Sequence, residues 1–209
     1  VSIDQLRASV TTAFYTAPGV TTAMWDALKT AGFDRGHVLE PGSGIGGFIG
    51  AAPNAAEVTG VELDPIASRI SSLLYPDATI LNRDFTAVSP DTRPFDAAIG
   101  NVPFSNRDKP TDRQFNPDGL SVHNYFISKS AQLVHPGGYV ALITSAHTSD
   151  AAQSAAREEI AKHADLVSAV RLPEETFRSV AGTSVISDVL VMRVREPDTD
   201  PSDLTQQWL

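Results

Sequence analysis

The sequence predicts an α/β domain: a doubly wound, mostly parallel seven-stranded sheet whose last strand runs antiparallel. Three observations carry this expectation. Short apolar runs rich in β-type residues alternate with helical periods through most of the 209 residues, the pattern of a parallel sheet covered on both faces. The chain then ends on strand, loop, strand, which implies an antiparallel closing pair. Glu40, Glu62, Asp84 and Asn101 fall at the ends of four successive strands, and ligands in such sheets sit beyond the carboxyl ends of the strands.

The elements follow in order. Ser2 to Ala13 reads as a short amphipathic helix or a lead-in, and the next few residues as an aromatic turn. Gly19 to Ala31 repeats apolar residues at helical spacing (Val20, Met24, Ala27, Leu28), and Gly32 stops the helix. This helix covers the sheet, and Tyr15, Thr16 and Pro18 ahead of it are candidates to line a ligand site. His37 to Leu39 is the first strand and runs into Glu40-Pro41-Gly42-Ser43-Gly44-Ile45-Gly46-Gly47-Phe48. Glycines at this density let the backbone turn tightly and a ligand approach closely; a helix should begin from Gly46. A carboxylate at Glu40 repels a pyrophosphate but suits hydroxyls, an ammonium or a sulfonium. That favours S-adenosylmethionine over NAD or ATP as the cofactor.

Glu57 to Leu63 is the second strand. Glu62 stands at the spacing, about 20 residues past the glycine loop, from which an acid reaches ribose hydroxyls. Asp64-Pro65 reads as the N-cap and first residue of a helix reaching Tyr75. Thr79 to Leu81 is the third strand and leads to Asp84-Phe85. There a carboxylate can accept from the exocyclic amine of an adenine while the ring packs on it; alternatively Asp84 caps a turn. Phe95 to Gly100 is the fourth strand and stops on Asn101-Val102-Pro103-Phe104. Ser105 to Leu120 lacks periodicity and is long for a loop, so it is a lid or substrate-contacting loop, carrying Arg107 and Lys109, or else a surface insertion. A helix from Ser121 to Val134, a turn at Pro136-Gly137-Gly138 and a strand from Tyr139 to Thr144 come next. A helix from Asp150 to His163, a strand from Asp165 to Arg171, a loop holding Phe177 and a strand from Ser184 to Arg195 complete the domain, 1–196. Its first 32 residues act as an N-terminal cap, and 197–209 reads as a tail or linker.

Composition narrows the chemistry. There is no cysteine, which excludes disulfides, thiolate metal sites and a cysteine nucleophile, and with the last the covalent route to C5-methylcytosine. The five histidines are scattered, and no metal is expected. No apolar run approaches the ~20 residues of a membrane span, so the chain is expected to be soluble, cytoplasmic and without a membrane partner. The net charge of −9 makes it a poor nucleic-acid binder alone. The chain opens on Val1 rather than Met, as a piece of a longer protein would.

The stretch Asn101-Val102-Pro103-Phe104 suits a planar amine. The amide oxygen and a backbone carbonyl can accept its two N–H groups, and the ring can stack on its face. Phe177 is a second candidate stacking ring, or else a residue of the core packing.

Taken together, the sequence resembles the methyltransferase domain of N6-adenine DNA methyltransferases. The resemblance rests on Leu39-Glu40-Pro41-Gly42-Ser43-Gly44, Gly60-Val61-Glu62-Leu63-Asp64-Pro65, Asp84-Phe85 and Asn101-Val102-Pro103-Phe104. Phe14-Tyr15-Thr16-Ala17-Pro18 ahead of the cofactor loop gives the motif order of the gamma group. His123-Asn124-Tyr125-Phe126 and Arg171-Leu172-Pro173-Glu174 resemble large methylase proteins of phages and mobile elements, some acting in antirestriction. The resemblance implies methyl transfer from S-adenosylmethionine to adenine N6 in DNA, with Asn101, Val102, Pro103 and Phe104 catalytic. Pro41, Gly42, Gly44 and Leu63 join Glu40, Glu62, Asp84 and Phe85 around the cofactor. Phe104, Arg107, Lys109 and Phe177 face the substrate. DNA as partner would need a further recognition domain or protein. RNA guanine-N2 or protein glutamine methylation, or a non-catalytic scaffold, are alternatives on the same fold. Val102 replaces the motif's usual first proline; the carbonyl is kept, the ring's rigidity is not.

Overall fold

A computed structural model describes residues 16–89, 94–105, 108–177 and 186–209. Tyr15 and Arg107 therefore lie outside the described residues, and so does the side chain of Phe177.

Seven strands form one sheet in the order β3-β2-β1-β4-β5-β7-β6. They are β1 (Gly36–Pro41), β2 (Ala56–Glu62), β3 (Thr79–Asn82), β4 (Phe95–Asn101), β5 (Val134–Ser145), β6 (Ala164–Arg171) and β7 (Ser187–Val194). Strands β1 to β5 pair in parallel, and β7 lies antiparallel between β5 and β6. This is the expected architecture. The chain builds outward from β1 to β3 and then crosses back to place β4 on the other side of β1. A reversal of that kind opens a crevice at the carboxyl ends of β1 and β4.

Side-chain alternation along β1 and β4 divides the core in two. Val38 and Ile99 face one layer, built with Met24, Trp25 and Leu28 of α1 (Pro18–Ala31). Leu39 and Ala98 face the other, built with Tyr125, Phe126 and Ile127 of α2 (Val122–Leu133). Helix α1 starts with proline in its first turn and stops on Gly32 at φ 124°, whose N–H bonds back to Leu28 and Lys29. The Trp25 indole N–H, buried with the ring, donates to the Phe48 carbonyl at 3.0 Å.

Three segments depart from the sequence expectation. Strand β5 begins at Val134, so Pro136-Gly137-Gly138 is a bulge inside it rather than a turn ahead of it. Phe95 pairs with Val134 but Ala97 with Tyr139. A Cβ on Gly138 would stand 2.5 Å from the Asp96 carbonyl oxygen, so only glycine lets the bulge close.

The alanine-rich helix expected from Asp150 to His163 is helical only over α4 (Ala155–Ala161), and a separate short helix, α3 (His147–Asp150), precedes it. Arg157 donates to the carbonyls of Ala151 at 2.9 Å and Thr148 at 3.3 Å, holding the connection open.

The C-terminal tail is instead a docked helix, α5 (Asp203–Trp208). Thr205 is fully buried; its oxygen accepts the Leu166 N–H and its hydroxyl donates to Asp165, both at 2.9 Å. Asp165 also accepts the Ser202 N–H at 2.8 Å. Burial would raise the Asp165 carboxyl, but the Ser202 N–H, the Thr205 hydroxyl and Arg195 outweigh it and hold it below its ordinary value.

A carboxylate with a depressed folded pKa stabilises fully above its unfolded value, near ~3.9, and stops doing so as pH falls through the folded value. Docking of α5 should therefore loosen in acid below about pH 4. Trp208 emission in a Trp25→Phe background reads this directly. Asp165→Asn should weaken docking by about 1 to 2 kcal/mol at neutral pH and flatten the acid step.

Candidate active site

A cavity of about 1490 Å³ occupies the crevice. Register sets what stands around it. Pro41 pairs with Val61 and Leu39 with Ala98, so Glu62 and Asn101 both come level with Gly42.

The glycine loop is shaped by backbone conformation and by room. Gly42, Gly44 and Gly46 have φ of 72°, 55° and 87°, the left-handed region glycine tolerates. The N–H groups of Gly42 and Ser43 both bond to the Val61 carbonyl at 2.9 Å. A Cβ on Gly46 would lie 2.6 Å from the Tyr75 ring, whereas one on Gly44 would meet nothing within 4 Å. Gly44, like Gly47, thus leaves open space beside the backbone where it lines the cavity. The expected helix follows as a single turn, Gly47–Gly50.

Four acids ring this loop. Glu62 accepts the N–H groups of Gly44 and Asp64, each at 2.7 Å, one on each oxygen. The carboxylate is held in place while each oxygen keeps acceptor capacity. Asp64 caps the helix Pro65–Leu74 through Ile66 at 2.7 Å and Ala67 at 3.0 Å, the capping role read from the sequence. Asp84 uses one oxygen, Oδ1, to cap a turn at Thr86, through both the N–H at 2.7 Å and the hydroxyl at 2.8 Å. The capping alternative is thus observed, and Asp84 also lines the cavity. Glu40 is 2 % exposed, and burial pushes its carboxyl well above the usual range. The Phe48 and Ile49 N–H groups oppose that shift, and the neighbouring Glu62 adds to it. Its Oε2 is buried without a hydrogen-bond partner among the described residues.

Asn101 ends β4. Its amide nitrogen donates to the Thr16 hydroxyl oxygen at 3.2 Å, across 85 residues of sequence. Its Oδ1 is buried and has no partner among the described residues. Buried polar atoms are ordinarily paired, so an unpaired acceptor on a cavity wall marks a place for a donor. Val102 is buried, and its N–H donates to the Ile143 carbonyl at 3.1 Å, one bond beyond the Asn101–Ile143 pair. Proline could not make that bond. The rigidity a proline ring would supply is replaced by an extra rung on β5. Pro103 and Phe104 line the cavity, and Phe104 packs against both halves of the core.

Other expected site residues fall out differently. Phe85 lines the cavity, but its ring is 4 % exposed and packs at 4.6 Å from Phe126 and 5.9 Å from Tyr125. It belongs both to the aromatic core and to the cavity lining. Leu63 is 66 % exposed at the rim. Pro41 is buried at the end of β1 and Pro18 opens α1; neither lines the cavity. Lys109 does line it, with Pro110 and Thr111, so the loop after the Asn101 stretch is a cavity wall. That loop is internally bonded: the Asn116 amide donates to the carbonyls of Pro110 and Leu120 and accepts the Leu120 N–H. Among the described residues no group of three or more His, Cys, Asp or Glu is placed to hold a metal ion, and no helix is long and apolar enough to cross a membrane.

Val102→Pro restores the motif's usual residue but deletes the N–H. It should lower stability by about 1 kcal/mol, read as a shift in denaturant midpoint. An unchanged midpoint would mean the bond to Ile143 contributes nothing.

No family model matches the chain. In sequence it is 31% identical over 185 residues to "Defense against restriction protein B" of Escherichia phage P1, a match covering 86% of this chain and 8% of that protein. The chain thus spans a small part of this relative's length. Among solved structures, the M protein of the type I restriction enzyme EcoKI superposes with a TM-score of 0.71 at 17% identity, covering 96% of this chain and 47% of that one. A Listeria monocytogenes protein assigned to the class I S-adenosylmethionine-dependent methyltransferases gives 0.70 at 19% identity, covering 89% and 61%. The chain has the S-adenosylmethionine-dependent methyltransferase fold, and in sequence it is similar to a phage protein of defence against restriction.

Proposed function

We propose that the chain is the catalytic unit of an S-adenosylmethionine-dependent N-methyltransferase that acts on the exocyclic N6 amine of adenine in DNA, as part of a larger protein. The observation that carries this reading is the buried, unpartnered Oδ1 of Asn101 level with Glu62 at the crevice.

The residues present fit the cofactor. Glu62 keeps acceptor capacity for ribose hydroxyls, and Asp84 has a second oxygen for a purine amine. Glu40 Oε2 is an unpaired polar atom that a ligand group could engage, and the backbone at Gly44 leaves room for close approach. When bound, S-adenosylmethionine supplies an electrophilic sulfonium methyl group.

The chain's own residues prepare the acceptor. The N6 amine is a weak nucleophile because its lone pair is delocalised into the ring. Asn101 Oδ1 accepts one N–H, and the carbonyl of Val102 or Pro103 accepts the other. Two acceptors placed this way favour a pyramidal nitrogen whose lone pair is localised. Phe104 stacks on the base and excludes water from one face. No protein nucleophile is needed, in keeping with a chain that has no cysteine. A base in duplex DNA must first leave the stack. The charge of −9 assigns most of the grip on DNA to another segment or partner. The likeness in sequence to a phage protein of defence against restriction supports DNA over RNA or protein.

The test is transfer of label from methyl-labelled S-adenosylmethionine to unmethylated DNA, followed by analysis of the nucleosides. The expected product is N6-methyladenine. Asn101→Ala should lower the rate by about 10²-fold or more while S-adenosylhomocysteine binds as before. Undiminished transfer by Asn101→Ala would overturn the catalytic assignment, and absence of cofactor binding in calorimetry would overturn the enzyme reading.

A further inference from the structure

A buried ammonium that the chemistry above does not use sits beneath the cavity. Lys129 of α2 is 0 % exposed. Its Nζ lies 2.8 Å from the Phe85 carbonyl oxygen, 2.9 Å from Asp112 Oδ2 and 3.3 Å from the Thr86 carbonyl oxygen. An ammonium has three N–H groups, and these three acceptors use them all. The rings of Phe115, Phe85 and Tyr125 stand around it at 4.6, 5.1 and 5.7 Å. Asp112 is equally well satisfied. It accepts the Tyr125 hydroxyl at 2.7 Å and the N–H groups of Phe115 and Gln114 at 3.1 and 3.2 Å. Burial would raise the Asp112 carboxyl, yet the bonds from Lys129 and Tyr125 hold it below its usual value.

The acceptors belong to two separate parts of the cavity wall. Phe85 and Thr86 form the turn that Asp84 caps. Asp112 belongs to the loop whose Lys109, Pro110 and Thr111 line the same cavity. Without the ammonium, Asp112 would keep the Tyr125 hydroxyl and two N–H donors but lose its charged partner, the two carbonyls would lose the donor they share with it, and the loop would lose its link to the Phe85–Thr86 turn. A ligand group that fixes Asp84 therefore also makes the loop harder to open, because the two share one cation. Such coupling is reciprocal.

We propose that Lys129 is a positioning residue that couples the purine end of the cofactor site to the substrate-side loop, so that cofactor binding orders the loop for substrate. This rests on the reading of the cleft as a methyltransferase site.

Amide hydrogen exchange followed by mass spectrometry, with and without S-adenosylhomocysteine, tests it. In the unaltered chain the ligand should slow exchange both at residues 42–47 and at 112–120. In Lys129→Met, exchange at 112–120 should rise about 10-fold and cease to respond to the ligand, while 42–47 still responds. Asp112→Asn, which keeps an acceptor, should show an intermediate loss and stands in if Lys129→Met does not fold. With DNA as substrate, KM should rise and kcat should change little. The proposal is overturned if 112–120 responds to the ligand equally in the variants and the unaltered chain, or if 42–47 responds in the unaltered chain and 112–120 does not. If neither segment responds in the unaltered chain, the cofactor reading itself fails, and the proposal with it.

Discussion

The register of β1 against its two parallel neighbours decides where every polar group of the cleft stands. With Pro41 opposite Val61 and Leu39 opposite Ala98, Glu62 and Asn101 come level with the first glycine of the loop. A slip of one residue on either side would turn the strand ends to the opposite face and expose half of each core layer. That slip is opposed by the apolar residues of β1 and β4: Val38 and Ile99 are locked into one layer, Leu39 and Ala98 into the other. Packing of the interior is therefore what sets the spacing of the site.

Polar groups near the cleft divide by how well they are satisfied. Lys129, Asp112, Glu62 and Asp64 hold named partners; Glu62 and Asp64 line the cavity, and the Lys129–Asp112 pair lies behind it. Glu40 Oε2 and Asn101 Oδ1 are buried oxygens with no partner among the described residues. Leaving a buried acceptor unpaired costs on the order of 1 to 3 kcal/mol. On a residue that lines the cavity, such an acceptor at Asn101 is better understood as a place for a ligand's donor than as a failure of packing. The Val102 bond to Ile143 keeps Asn101 fixed despite the missing proline.

Local signals in the sequence survived intact. Asp64 ahead of Pro65 caps its helix, Gly32 stops α1, and the acids at the strand ends reach one crevice, because each depends on a few neighbouring residues or on strand order. What was not legible depends on distant partners. Nothing near Thr16 announces that its hydroxyl meets Asn101, and nothing in the helical pattern around Lys129 marks a lysine that is buried. The docking of α5 turns on one threonine between a strand N–H and a carboxylate, with little apolar pattern to show it. The packing of Phe85 is legible only in part for a related reason: its place next to a strand-end acid puts it at the cavity, but nothing nearby in sequence shows that Tyr125 and Phe126 pack against it. In the shortened helix, Arg157 overrides alanine's helical preference by holding backbone carbonyls ahead of it.

The most direct measurement is a crystal structure of the chain with S-adenosylhomocysteine. The ribose hydroxyls should lie on the Glu62 carboxylate and the purine amine on Asp84, with the sulfur turned toward Asn101 Oδ1. A ligand bound elsewhere, or one that leaves Glu62 and Asp84 untouched, would contradict the assignment of these strand ends as one cofactor and amine site.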